Sequence, residues 1–210
     1  VRKIILDCDP GHDDAVAILL AAGNPDIELL GLTTIGGNHT IDKVTHNARQ
    51  VLTIAGALDV PVYRGASRPL INGVVTAEDI HGDSGMEVHG YDLPEPAVGV
   101  EDGHAVRWIV DTLMREEPGT VTLVPTGPLT NIALALRLDP TLPSRIARLV
   151  VMGDFNIAPD ARDVHDPEVW HDAHILTSAA ERAALQRLLA LGLHDAFRLH
   201  HEDAGIFSWW

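Results

Sequence analysis

The chain has 210 residues, 46% hydrophobic and 21% charged, which is enough length and apolar content to bury a sizeable core and to exclude wholesale disorder. Its 15 Lys and Arg against 30 Asp and Glu give a formal net charge of -15, and an acidic surface argues against nucleic acid as a partner. One cysteine, Cys8, excludes an internal disulfide framework and a cysteine-based zinc site. With no apolar run near the roughly 20 residues of a membrane span, and an acidic cluster too close to the start for a signal peptide, the chain reads as soluble, cytoplasmic and without a membrane partner.

Apolar runs then alternate with helical patterns, the signature of a parallel sheet with crossover helices. Val1 to Leu6 is a short buried strand. Asp13 to Ala22 is a helix whose apolar face is expected at Ala15, Val16, Ile18, Leu19 and Ala22, stopped by Gly23-Asn24-Pro25. Ile27 to Thr34 is a second strand, Asp42 to Ala55 a helix, and Val60 to Tyr63 a third strand. Gly65 to Gly99 is a long excursion, and excursions of that length in compact domains are usually functional. His104 to Met114 (helix), Val121 to Val124 (strand), Leu129 to Leu138 (helix) and Ile146 to Met152 (strand) complete a doubly wound, mostly parallel α/β sheet with flanking helices. Trp108 reads as packing on its helix, Thr130 and Asn131 as residues that cap or start theirs, and His39, His46 and His104 as surface or helix residues.

The sharpest feature closes the first strand: Asp7-Cys8-Asp9-Pro10-Gly11-His12-Asp13-Asp14-Ala15. Four carboxylates this close repel one another unless a cation collects them, and the carboxyl ends of parallel strands are where α/β folds place ligands. A hard divalent cation is the natural partner, calcium more readily than magnesium because its oxygen shell is more flexible. The plain alternative, a solvated acidic turn opening a helix, accounts for Asp13 or Asp14 but not for Asp7 and Asp9. A phosphate-binding loop would set phosphate against four negative groups with no lysine nearby. Cys8 points away from its strand neighbours and reads as a packed thiol.

Four motifs, DCDPGHDDA at residues 7–15, Thr33-Thr34-Ile35-Gly36-Gly37-Asn38, Ile80-His81-Gly82-Asp83-Ser84-Gly85 and Val124-Pro125-Thr126-Gly127-Pro128-Leu129-Thr130-Asn131, resemble in content and order the nucleoside hydrolase family. The likeness covers residues 1–152. It implies a calcium-dependent enzyme that hydrolyses the N-glycosidic bond of purine or pyrimidine ribonucleosides, in nucleoside catabolism. His12 and the loop at 81–85 lean toward pyrimidines. Carried over by position, Asp9, Asp14 and the Thr126 carbonyl would ligate calcium, and Asp9 would take the proton of a bound water. Asp13 and Asn38 would hold ribose hydroxyls, His81 would contact or protonate the leaving base, and Asp7 would orient its neighbours. A homo-oligomer is a further implication.

From Gly153 on, the pattern changes. Asn156 stands where a ribose-binding Asn is expected and Asp154 as a shortened substitute for a glutamate. Yet Gly153 to Pro159, Asp163 to Pro167, Glu181 to Leu185, Leu191 to Arg198 and Phe207 to Trp210 resemble an internal piece of the exonuclease III family, so the chain is expected to be a chimera of a 1–152 core and a grafted 153–210 segment packed on the same sheet. The His-Asp pairs at 165–166, 171–172 and 194–195 read as fortuitous. With the nucleoside hydrolase pattern stopping at 152, the expected activity is weak or lost. The alternatives are a metal-dependent phosphodiesterase acting at abasic DNA and a non-catalytic calcium- or ribose-binding domain.

Overall fold

The structure is a computed structural model that describes residues 1–71, 73, 76, 82–88, 90–153, 155–171 and 176–206. It divides into two compact units, Val1–Gly153 and Asp154–Trp210.

In the first unit β1 (Arg2–Cys8), α1 (His12–Gly23), β2 (Ile27–Thr34), α2 (Ile41–Ala55) and β3 (Val62–Arg64) precede the excursion; α3 (Ala105–Arg115), β4 (Val121–Pro125), α4 (Thr130–Leu138) and β5 (Ile146–Leu149) follow it. The sheet runs β3-β2-β1-β4-β5 with every pairing parallel. An α/β fold with a parallel central sheet and flanking helices is therefore established. β5 stops at Leu149, three residues short of the expected end at Met152.

β1 is almost continuously apolar because both of its faces are covered. Side chains alternate along it: Ile4, Leu6 and Cys8 join α1 and α2 through Ile18, Ala21, Ala48 and Leu52, while Ile5 joins α3 and α4 through Ile109, Leu113, Ile132 and Ala135. Each such large apolar side chain contributes about 1.5–3 kcal/mol on full burial. The Cys8 thiol is buried and lies 3.7 Å from the Thr33 carbonyl.

α1 presents a different face from the expected one. Asp14, Ile18 and Ala21 are buried, whereas Val16 is 65% and Leu19 40% exposed. The helix is turned so that the i, i+4, i+7 row starting at Asp14 meets the sheet, which brings a carboxylate inward at the cost of two apolar side chains left in water. Trp108 packs as expected, stacked on Tyr63 with ring centroids 4.7 Å apart. Its ring fills the space beside Gly31, where a β-carbon would lie 2.7 Å from it.

The excursion after β3 carries no helix or strand among its described residues, and polar side chains of α2 strap it down. Arg49 and Gln50 donate to the Val98 and Pro94 carbonyls at 2.7 and 3.0 Å, and Lys43 to that of Asp83.

Among its described residues the second unit contains a 3-10 turn, Ala161–Asp163, and the helix α5 (Ala179–Leu189), each opened by a capping box. An Arg198–Asp163 ion pair crosses it, and among its described residues no apolar side chain is buried. Among those residues, then, local polar contacts with little apolar burial are set against about 1–2 kcal/mol of backbone entropy per residue.

Candidate active site

β1 sits where the strand order changes direction, with β2 on one side and β4 on the other, and its carboxyl end opens the crevice in which such sheets bind ligands. Asp7 ends up in register with Thr33 of β2 and Pro125 of β4. The turn through Pro10 and Gly11 then delivers α1, and the Asp9 backbone N–H donates to Asp14 Oδ2 at 2.9 Å. Asp9 and Asp14 are thereby brought together and buried, while Asp13, about 100° further round the helix, is exposed.

Both Asp9 oxygens are closely framed. Oδ2 accepts the Asn38 backbone N–H at 2.6 Å, and the Asn38 amide donates to the Asp9 carbonyl at 3.1 Å. Gly37 lies against Oδ2 and Gly127 against Oδ1 so tightly that a β-carbon on either glycine would overlap the carboxylate. Burial, reinforced by the neighbouring Asp14 charge and opposed by the Asn38 N–H, pushes the Asp9 carboxyl up to about 8. Asp14 rises to about 6 for the same principal reason, with the Thr126 hydroxyl and the Asp9 N–H holding it back.

Asp7 points to the other face of β1. Its Oδ1 accepts from Thr33 Oγ1 at 2.6 Å and Asn131 Nδ2 at 2.8 Å; its buried Oδ2 has no hydrogen-bond partner among the described residues. Burial again dominates, raising this carboxyl to about 6 against those two donors. The Asp7 carbonyl accepts the Thr126 N–H at 2.9 Å, so Thr126 is tied to β1 as well as to Asp14. The Thr126 carbonyl lies beside Gly153, 3.1 Å from where a β-carbon would stand.

Of the residues read from the sequence, His39 departs from the expected surface or helix position, while Asn131 and His104 keep theirs and gain partners that local sequence does not announce. Thr130 and Asn131 start α4 as expected, behind a Leu129 N-cap that makes no side-chain bond, and Asn131 is fully buried. His39 is buried, accepting the Thr40 N–H on Nδ1 at 2.7 Å with Lys43 Nζ 2.9 Å from Nε2. His104 caps α3 by accepting the Val106 N–H. Asn47, unremarked in the sequence, donates to the carbonyls of Pro10 and Ser84, both at 3.1 Å, and so joins the aspartate turn to the loop after His81; its place three residues after Val44 and four before Val51, on the apolar side of α2, is the signal available in the sequence. His12 holds the same loop through the Glu87 carbonyl at 2.9 Å, which makes it an anchor. His81 and Asp154 lie outside the described residues. Asn156 is exposed in the second unit, in a left-handed backbone conformation with φ 51°. A cleft of about 370 Å³ beside the Arg64–Leu70 segment borders none of the aspartates.

Asp9, Asp14 and Thr126 are hard oxygen donors, and neither carboxylate meets a lysine or arginine among the described residues. Two desolvated acids side by side, each raised by burial, are what a cation relieves, so the chemistry of this donor set fits a hard divalent ion. Among the described residues no three His, Cys, Asp or Glu side chains gather as a metal cluster.

A family model described as "Inosine-uridine preferring nucleoside hydrolase" matches residues 4–180. The inosine-uridine preferring nucleoside hydrolase of Leishmania major is 51% identical over 178 residues, covering 83% of this chain and 56% of that protein. The pyrimidine-specific ribonucleoside hydrolase RihB of Escherichia coli O157:H7 is 47% identical over 153 residues, covering 72% and 47%. Among solved structures, the purine-preferring ribonucleoside hydrolase from Gardnerella vaginalis matches with a TM-score of 0.66 at 35% identity, over 72% of this chain and 48% of that one. The chain spans about half the length of these curated relatives. Because the family match runs to residue 180, it crosses the junction expected at Gly153, and no finding supports an exonuclease III segment or a fusion there.

Proposed function

The chain belongs to the inosine-uridine preferring nucleoside hydrolase family, and from that premise we propose that the Asp9–Asp14 site hydrolyses the N-glycosidic bond of a ribonucleoside with calcium as its metal. The observation that carries the reading is the buried Asp9–Asp14 pair at the sheet's switch point, framed by Gly37, Asn38 and Gly127. Asp9, Asp14 and the Thr126 carbonyl would hold the ion. When bound, it supplies the positive charge that makes water acidic enough to act at neutral pH. These three groups fall short of the roughly six to eight oxygens calcium takes, so the expected affinity is modest.

The rest is done by the chain's own groups. Asp9 accepts the proton of the attacking water, with its carboxylate held in place by the Asn38 N–H. Asp13, exposed beside the buried pair, accepts hydrogen bonds from ribose hydroxyls. Asn38 uses its NH₂ on the Asp9 carbonyl and keeps its amide oxygen for a hydroxyl. Fixed carboxylates near the ribose stabilise the oxocarbenium character that develops as the base departs. His81 is proposed as the contact to that base.

RihB acts on pyrimidine nucleosides, and together with the likeness at His12 and residues 81–85 this supports uridine as the better substrate. Uridine and inosine hydrolysis measured with calcium should exceed that of an Asp9→Ala variant by at least about a hundredfold, the low end of general-base contributions. Equal rates in the two proteins would refute the proposal.

A further inference from the structure

We infer that Asn131 is a positioning residue of this site: one buried amide joins the carboxyl ends of β1 and β2 to the chain after β3 and holds Asp7 and Thr126 where Asp9 and Asp14 need them. The catalytic consequence rests on the reading above; the geometry does not. Asn131 Nδ2 donates to Asp7 Oδ1 at 2.8 Å and to the Thr34 carbonyl at 3.0 Å, while its Oδ1 accepts the Ala66 N–H at 2.9 Å. Both donors and an acceptor are thus used at once, a combination only an amide of this length supplies. Space for it exists because residue 65 is glycine, where a β-carbon would overlap both Asn131 side-chain polar atoms.

The connection continues from Asp7. Its carbonyl accepts the Thr126 backbone N–H at 2.9 Å and the hydroxyl at 3.3 Å, and Asp9 is two residues further along the same strand end. Losing the Asn131 donors leaves Thr33 as the remaining donor to Asp7 Oδ1 among the described residues and frees the end of β2, so the donor set widens where it must stay compact. Partners behind metal-binding groups typically change metal affinity by about 10- to 100-fold.

The test uses the full chain and three variants. Asn131→Asp keeps the shape and the acceptor for Ala66 but loses both donors; Asn131→Ser, whose hydroxyl is too short to reach the three partners, removes all three bonds without adding a carboxyl group. Leu142→Ala, at a fully buried site beyond the far end of α4, is the control for destabilisation alone. Calcium titration by calorimetry is expected to show affinity weakened about tenfold or more in both Asn131 variants and unchanged in Leu142→Ala. Amide hydrogen exchange without calcium is expected to show the Thr126 and Asn38 amides losing protection ahead of the β1–β4 ladder in both Asn131 variants, and together with it in Leu142→Ala. Stability loss in both Asn131 variants with unchanged relative exchange and unchanged calcium affinity overturns the inference. Should the unmodified chain bind no calcium, the metal reading fails, and the exchange pattern alone decides for or against Asn131.

Discussion

Replacing Gly37 by alanine adds one methyl group at a position whose backbone any residue adopts, so the effect isolates the space beside Asp9. The new β-carbon would overlap Asp9 Oδ2 and stand 2.9 Å from both Asp9 Cγ and Pro128 Cδ. Overpacking of this kind costs about 1–3 kcal/mol. Asp9 must swing away, which breaks the 2.6 Å bond from the Asn38 N–H and leaves a partly buried donor unpaired, about 1–3 kcal/mol more. The sum is about 2–6 kcal/mol, or a fall in Tm of at least about 4 °C at roughly 2–4 °C per kcal/mol for a chain of this size. Gly99→Ala is the control, with nothing within 4 Å of its β-carbon and an expected change within about 0.5 kcal/mol. Thermal denaturation of both variants, with and without calcium, is the assay. Gly37→Ala should lose Tm and also most of the stabilisation that calcium confers. A Gly37→Ala protein with the Tm and calcium response of Gly99→Ala would refute the placement of Asp9 between Gly37 and Gly127.

The metal-free protein should lose stability as pH rises from 5 to 8: Asp7, Asp9 and Asp14 have folded-state values near 6, 8 and 6 against 3.8 unfolded, so the unfolded chain releases its protons first. The stabilisation is fully present below about pH 4 and lost through those folded values, while calcium should flatten the profile; denaturation midpoints in chelator that rise between pH 5 and 8 would contradict it. Asn47→Leu removes the bonds to the Pro10 and Ser84 carbonyls, and should raise KM for the nucleoside more than it lowers kcat, by several-fold in steady-state assays; unchanged KM would show that the loop at 82–87 does not bear on substrate. Limited trypsin digestion should cut at Arg162, Arg187 or Arg198 before any site in Val1–Gly153, because the second unit lacks buried apolar side chains among its described residues. Earlier cleavage within the first unit would oppose that ranking.

Some features could be read at a distance and others could not. The alternation of β1, α1, β2 and α2 is local, set by apolar period and by stops such as Gly23-Asn24-Pro25, and the elements fall within a residue or two of expectation. Hydrophobicity alone favours a face of α1 that includes Val16 and Leu19, whereas the strand ends beneath the helix draw in Asp14. Asn131 carried the composition of a helix start, yet its partners lie 65 to 124 residues away, and no local pattern announces them. The change of pattern after Gly153 suggested a second origin for the tail, an expectation the family match through residue 180 does not support.

By itself, then, the sequence determined the α/β class, the element order and the four motifs that mark the family, since these depend on periodicity and on residue types at short spacing. Only the tertiary structure decided which aspartates are buried together, which carboxylate faces α4, and which asparagines and glycines surround them. The physical reason is that burial and hydrogen-bond partnership belong to the convergence of β1, β2 and β4 at one end of the sheet. Adjacent residues such as Asp13 and Asp14 acquire opposite environments there from about 100° of helix phase.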